Sequence, residues 1–241
     1  MKTLAGTNGL HSYWATSKSH RYSLLFALPL LLLYELLEAI SPIRSQGGVI
    51  RNGADVILTG LFSWLLGPRG PLVFMAMVIG VSLFLIWRDT SSGPLRLATF
   101  AKMAAESLAW AAVFGFVVGA VTMKVLSMSA AGPGDTQVAK LTLSLGAGLY
   151  EELLFRVVLV ALLARGFGVL FGRTLGGVIA TVLGALIFSA FHYMGSLGET
   201  FQVQSFVFRA IAGLAFSALY LTRGFGITAW THALYDIFVL L

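Results

Sequence analysis

Three groups of residues in the C-terminal part of this 241-residue chain have types and spacings that could do acid–base chemistry. In Gly148-Leu149-Tyr150-Glu151-Glu152-Leu153-Leu154-Phe155-Arg156, Glu152 and Arg156 stand four apart and share one stripe of a helix. Glu151 then projects about 100° away from that stripe, where it needs a partner from another helix. Phe188-Ser189-Ala190-Phe191-His192 sets an aromatic ring one turn before a histidine. In His232-Ala233-Leu234-Tyr235-Asp236 a carboxylate can take the imidazole N–H and fix its tautomer. Carboxylates and imidazoles held at such spacings can take up and return protons, so the chemistry they suggest is acid–base. The same side chains could instead hold Zn²⁺ as His₂Glu plus water, relay protons through a transporter, or bind helices together in a scaffold.

The rest of the composition makes these residues conspicuous. The chain is 58% hydrophobic and 11% charged, with a mean hydropathy of +0.88; a soluble domain has roughly 45–50% and about 25%. With 16 Lys+Arg and 10 Asp+Glu it cannot clothe a water-exposed surface, which excludes soluble, disordered and fibrous classes. The net charge of +6 lies mostly between apolar blocks. There it serves topology and anionic lipid rather than nucleic acid, so the expected partner is the bilayer. The absence of cysteine removes disulfides, thiolate metal sites and Cys-nucleophile mechanisms. A charge in the hydrocarbon core costs at least about 2.5–3.5 kcal/mol. Most charges fall at the ends of apolar runs. The exceptions are Glu151, Glu152, Arg156, His192, Arg209, His232 and Asp236.

The elements that must position them are helices. The expected fold is all-α, a polytopic membrane helix bundle with about seven to eight transmembrane helices of about 20 residues each. Residues 1–21 read as a polar, interfacial N-terminal tail, 22–135 as N-terminal transmembrane helices, and 136–241 as the core that carries the chemistry. Apolar runs at 22–40, 72–87, 100–128, 138–164, 175–196, 202–222 and 226–241 predict spans. The run at 54–66 is short and predicts a partial helix. Breaks are expected at Gly67-Pro68-Arg69-Gly70-Pro71, at 131–135 and in a Gly/Arg turn at 165–173. With 54–66 partial, Lys2, Lys18, Arg21, Arg88, Arg96, Lys102, Arg165, Arg173 and Arg223 share one face, the cytoplasmic one. The first apolar run has no small-residue cleavage site after it and is expected to be retained. These boundaries put His192 and His232 at depths that differ by roughly 10 Å across a ~30 Å core. A tilted, broken or partial 202–222 segment would close the gap.

Glu151-Glu152-x-x-x-Arg156, Phe188-x-x-x-His192 and His232-x-x-x-Asp236 match, in order and rough spacing, the EExxxR, FxxxH and HxxxN/D motifs. In this the chain resembles the CPBP family, the CAAX prenyl endopeptidases and bacteriocin-processing proteins, over about residues 140–241. The resemblance implies an intramembrane glutamic endopeptidase in which Glu151, with His192, activates water. His232 and Asp236 would complete the pocket and stabilise the oxyanion. Glu152, Arg156 and Phe188 would support them or bind substrate. Asp236 stands where many members have Asn, a donor. The implied substrate is a membrane-anchored or lipid-modified protein or peptide: a prenylated C-terminus, a bacteriocin leader, or a sorting tail as in myxosortase-like members. The implied location is a bacterial inner membrane, multi-pass, with no cofactor. A zinc-dependent metalloprotease with the same residues as ligands stays open beside it.

Other intramembrane protease patterns fit less well. HExxH is absent. Gly132-Pro133-Gly134-Asp135 has the letters of GxGD, but it falls in an expected turn and precedes Tyr235-Asp236, the reverse of the presenilin-type order. Gly195-Ser196-Leu197-Gly198 resembles a rhomboid serine motif at an expected helix end, and an exosortase would need a cysteine.

Overall fold

In lipid every backbone N–H and C=O must be satisfied within its own segment, so apolar runs of this length fold as helices. The computed structural model describes residues 5–40, 44–45, 48–49, 51–89, 93–126, 136–194 and 198–241, with side chains from residue 12 on, except 118–126 and those of 44–45 and 48–49. Among them run α1 (Ala5–Lys18), α2 (His20–Ile40), α3 (Gly53–Leu66), α4 (Gly70–Arg88), α5 (Leu97–Leu126), α6 (Gln137–Gly146), α7 (Ala161–Phe171), α8 (Arg173–Phe191), α9 (Val203–Arg223) and α10 (Phe225–Leu240). Arg44–Ser45 and Gly48–Val49 form a two-residue antiparallel pair in the loop after α2. The 132–135 and 195–197 stretches lie outside the described residues.

Six segments are long and apolar enough to cross a membrane, and α10 is a shorter apolar helix. Two of the six exceed one crossing: Gly53–Arg88 with 36 residues and Gln137–Phe171 with 35. The first is not a single rod. At Gly67-Pro68-Arg69 the chain turns with Gly67 at φ 65°, and Phe62 and Phe74 meet again at 5.3 Å. Gly70 makes the reversal possible, because a Cβ there would strike the Phe62 and Ser63 backbone. The short 54–66 run is thus a half-length helix folded against α4.

The second long segment is continuous, and here two boundaries differ from expectation. The helix runs through 165–171 to a turn of one residue, Gly172 at φ 80°. Arg165, Gly166 and Gly168 do not break it, and the close approach of the two helices is permitted by Gly176 of α8, where a Cβ would meet the Phe167 and Gly168 backbone. Between α6 and α7, over Ala147–Glu151 and Leu153–Val160, the coil widens to π-helix. Such local widening is frequent at functional sites.

The enclosed element is α10. Gly226, Ile227, Thr228, Ala229, Thr231, His232, Ala233 and Tyr235 are all buried. Small residues let its neighbours approach, as polar and packing contacts hold helices together where lipid offers no hydrophobic drive. Ser23 Oγ accepts the Gly226 N–H at 2.7 Å, and Trp230 Nε1 donates to the Phe26 carbonyl at 2.7 Å. Outward, Leu32, Trp64, Leu72, Trp87, Phe116 and Val169 expose apolar side chains, as a surface bathed in lipid does.

Charges thought to need no partner have one. Arg223, expected at a basic face, is buried with 1% exposure. It pairs with Glu106 of α5 through Nε (2.5 Å) and Nη2 (2.8 Å), donates to Ser17 Oγ, and lies over the Trp14 ring. Tyr13 donates to the same Glu106 at 2.6 Å. Burial first, then Glu106, hold the Tyr13 hydroxyl well above the usual phenol range, so it remains a donor. The expected interfacial tail is in this part a helix, α1, docked by Tyr13, Trp14 and Ser17.

Candidate active site

Glu151 and Glu152 sit at the junction of the two π-helical segments, and both are buried. They point to different partners, as their separation around the coil requires. Glu152 Oε1 lies 3.0 Å from Arg156 Nη1, the pairing that four-residue spacing predicts. The same oxygen is 2.7 Å from His232 Nδ1. Arg156 is anchored further by donation from Nη2 to the Gly213 carbonyl (3.3 Å) and by the Phe188 face at 4.6 Å. With Glu152 and Arg156 both closed off from the surface, the pair holds the site from behind.

His232 differs from the sequence expectation. Its tautomer is set by Glu152, not by Asp236. A carboxylate has no hydrogen to give, so Nδ1 carries it and Nε2 faces the other way. Asp236 Oδ2 stands 3.7 Å from that Nε2, within ion-pair range and beyond a hydrogen bond. The reason is geometric: four-residue spacing allows a pair on one helix, but a nearer carboxylate on a neighbouring helix takes the better-aligned nitrogen. The imidazole is stacked on Phe216, centroids 4.4 Å apart and 19° between planes.

His192 is not deep in a helix that ends at 196. It is the residue at which α8 stops. Its Nδ1 lies 2.9 Å from the Phe188 carbonyl, an acceptor only, so Nδ1 carries the hydrogen here too and Nε2 is left with its lone pair. Burial pulls the His192 imidazolium below its ordinary range against the opposing charge of Glu151, and Arg209 adds to the lowering. Both histidines flank Phe188, His192 at 5.0 Å and His232 at 6.2 Å between centroids. The depth gap closes there without any break in α9, which is helical from Val203 to Arg223. Arg209 itself pairs with Glu199 at 2.6 Å and donates to Ser205 Oγ.

Glu151 is close enough to both histidines to act on them electrostatically. Its hydrogen-bond partner comes from the half of the chain in which the sequence offered no motif: Asn52 Nδ2 donates to Glu151 Oε1 at 2.9 Å. Around Asn52 stand Tyr34, Arg51, Asp55 and Glu38. Tyr34 donates to Asp55 Oδ2 at 2.8 Å, and Arg51 bridges Asp55 (2.5 Å) and Glu38 (3.3 Å). Nothing but the helix-capping type of Asn52 in front of an apolar run could have drawn attention to it. Among the described residues, no three His, Asp or Glu side chains come together as a metal-binding cluster. His232 Nδ1 is engaged by Glu152 and His192 Nδ1 by the Phe188 carbonyl, so Nε2 is the nitrogen each ring has left to offer.

Three helical segments thus bring two carboxylates and two imidazoles, each with its Nδ1 hydrogen engaged, together beside the Phe188 and Phe216 rings. That inventory serves hydrolysis. No match was found among curated proteins or among solved structures. Residues 136–238, the segment that holds Glu151, Glu152, Arg156, Phe188, His192, His232 and Asp236, match the family described as Type II CAAX prenyl endopeptidase Rce1-like. Over that segment the chain resembles the type II CAAX prenyl endopeptidases, a family of membrane-embedded peptidases.

Proposed function

We propose that the protein cleaves a peptide bond in a membrane-anchored or lipid-modified substrate by attack of a water activated by Glu151. The observation that carries this reading is the convergence of the two imidazoles on Phe188, with Glu151 within electrostatic reach of both. Glu151 takes a proton from the water, helped by the His192 Nε2 lone pair, and the hydroxide adds to the scissile carbonyl carbon. His232 in its imidazolium form, with a carboxylate near each nitrogen, has an Nε2 hydrogen to give the oxyanion. Asp236 on this view is a counter-charge, not a donor. The C–N bond then breaks as the proton held by Glu151 passes to the leaving amine. Glu152 and Arg156 fix His232, and no metal takes part.

The substrate class follows from the site's burial among apolar helices. A protein end carried in the membrane by a prenyl group, another lipid or its own span reaches such a site, whereas a freely soluble peptide does not. The location we read is the inner membrane of a bacterium. The test compares the termini of membrane proteins in cells that carry wild type or Glu151→Gln. At least one terminus present with wild type is expected to be missing or extended with the variant, at equal protein level. Identical termini would overturn the reading.

A further inference from the structure

Asn52 is the one polar side chain from outside the family-matched segment that is hydrogen-bonded to a carboxylate of the site among the described residues, and each of its polar groups is in use. It is the N-cap of α3, with Oδ1 accepting the Ala54 N–H at 2.9 Å. Its backbone N–H donates to the Tyr34 hydroxyl at 3.2 Å, and Tyr34 in turn is held by Asp55. Its Cβ packs where a Cβ on Gly146 would sit (2.7 Å), directly before the π-helical segment. Because a backbone donor claims Oδ1, the amide cannot flip, and Nδ2 must face Glu151.

We infer that Asn52 is a positioning residue for Glu151, an inference that rests on the proposed role of Glu151 as the base. By holding Oε1, Asn52 leaves Oε2 as the atom that meets water and takes its proton. The donated hydrogen bond also supports the ionised form of Glu151, the form that can act as base. The other charged or titratable groups that face Glu151 are His192, His232, Arg156, Asp236 and the adjacent Glu152. Among the described residues, the hydrogen bond to Oε1 comes from Asn52. The device ties α3, and through Tyr34 α2, to the chemistry carried by the C-terminal helices.

Two variants separate this role from the capping role, because serine and aspartate both cap helices about as well as asparagine. Asn52→Ser keeps a capping oxygen but does not reach Glu151. Asn52→Asp keeps the cap and turns a carboxylate oxygen towards Glu151. The experiment has two readouts. Infrared titration of the detergent-purified protein follows the protonated-carboxyl band of Glu151, identified by its absence in Glu151→Gln. Terminal analysis in cells follows the product that Glu151→Gln loses. The inference expects the band to persist to higher pH in both variants, further in Asn52→Asp, and the product to form at least tenfold more slowly per folded molecule. Wild-type titration and wild-type product formation in Asn52→Ser would overturn it. If the band shifts but Glu151→Gln alters no terminus, the positioning contact stands and the reading of Glu151 as a protease base falls.

Discussion

At the scale of single residues, Glu152 has more to do than its intrahelical spacing implies. Its Oε1 answers both Arg156 and His232. Replacing it by glutamine strands a buried guanidinium, which costs about 3–5 kcal/mol when one partner of a buried pair is removed. Glu152→Gln is therefore expected to lower the thermal midpoint and the activity together. Glu152→Gln with Arg156→Met removes both charges; stability should largely return while activity does not, because His232 has lost its carboxylate. Recovery of both would show that Glu152 serves folding alone. Asp236 invites the opposite outcome. If it acts as a counter-charge at 3.7 Å from His232 Nε2, an amide in its place can donate to the oxyanion instead. Asp236→Asn is expected to keep activity within about tenfold of wild type, and Asp236→Leu to lose roughly 10²–10³, the usual effect of deleting an oxyanion-stabilising group. Rates of product formation measured on the two variants side by side decide it.

At the scale of elements, the site depends on how closely α10 approaches the π-helical segment. Gly148 is the point of contact: a Cβ there would collide with the Ala229 carbonyl and lie 2.7 Å from the Ala233 Cβ. Both obstacles belong to a buried helix and neither can swing away. Gly148→Ala should push α10 and His232 off Glu152, with an overpacking cost of about 1–3 kcal/mol and a larger fractional loss of activity. Gly177 of α8 is the control, since nothing lies within 4 Å of its would-be Cβ. Gly177→Ala is expected to leave activity intact and to raise the thermal midpoint, as alanine is favoured over glycine inside a helix by roughly 0.5–1 kcal/mol. Equal behaviour of the two variants would remove close approach as the explanation.

At the scale of the whole molecule, two polar clusters hold different ends of the bundle. One joins Arg51, Asp55, Tyr34 and Asn52 to Glu151. The other joins α1, α5 and the end of α9 through Arg223, Glu106, Ser17 and Tyr13. Among the described residues the hydrogen bonds and ion pairs of the second reach no residue of the site, so its loss should act on stability only. Arg223→Ala leaves Glu106 without its cation and is expected to cost on the order of 3 kcal/mol. It should lower the thermal midpoint in detergent while the activity per folded molecule holds. A fall in that specific activity would mean that the docking of α1 reaches the chemistry.

Much of this was legible in the letters. Scarcity of charge singled out Glu151, Glu152, Arg156, His192, His232 and Asp236, and the Glu152–Arg156 pair followed from helical spacing alone. Apolar runs of about 20 residues specify helices because lipid leaves the backbone no other partner. What only the tertiary structure decided is which helices meet and at what height. Asn52 reaches Glu151 across 99 positions, Glu152 displaces Asp236 at His232 across 80, and Arg223 finds Glu106 across 117. Periodicity orders neighbours along one helix. Contacts between helices are set by crossing points, by glycines such as Gly148 that permit close approach, and by where α8 ends, and no local pattern encodes these.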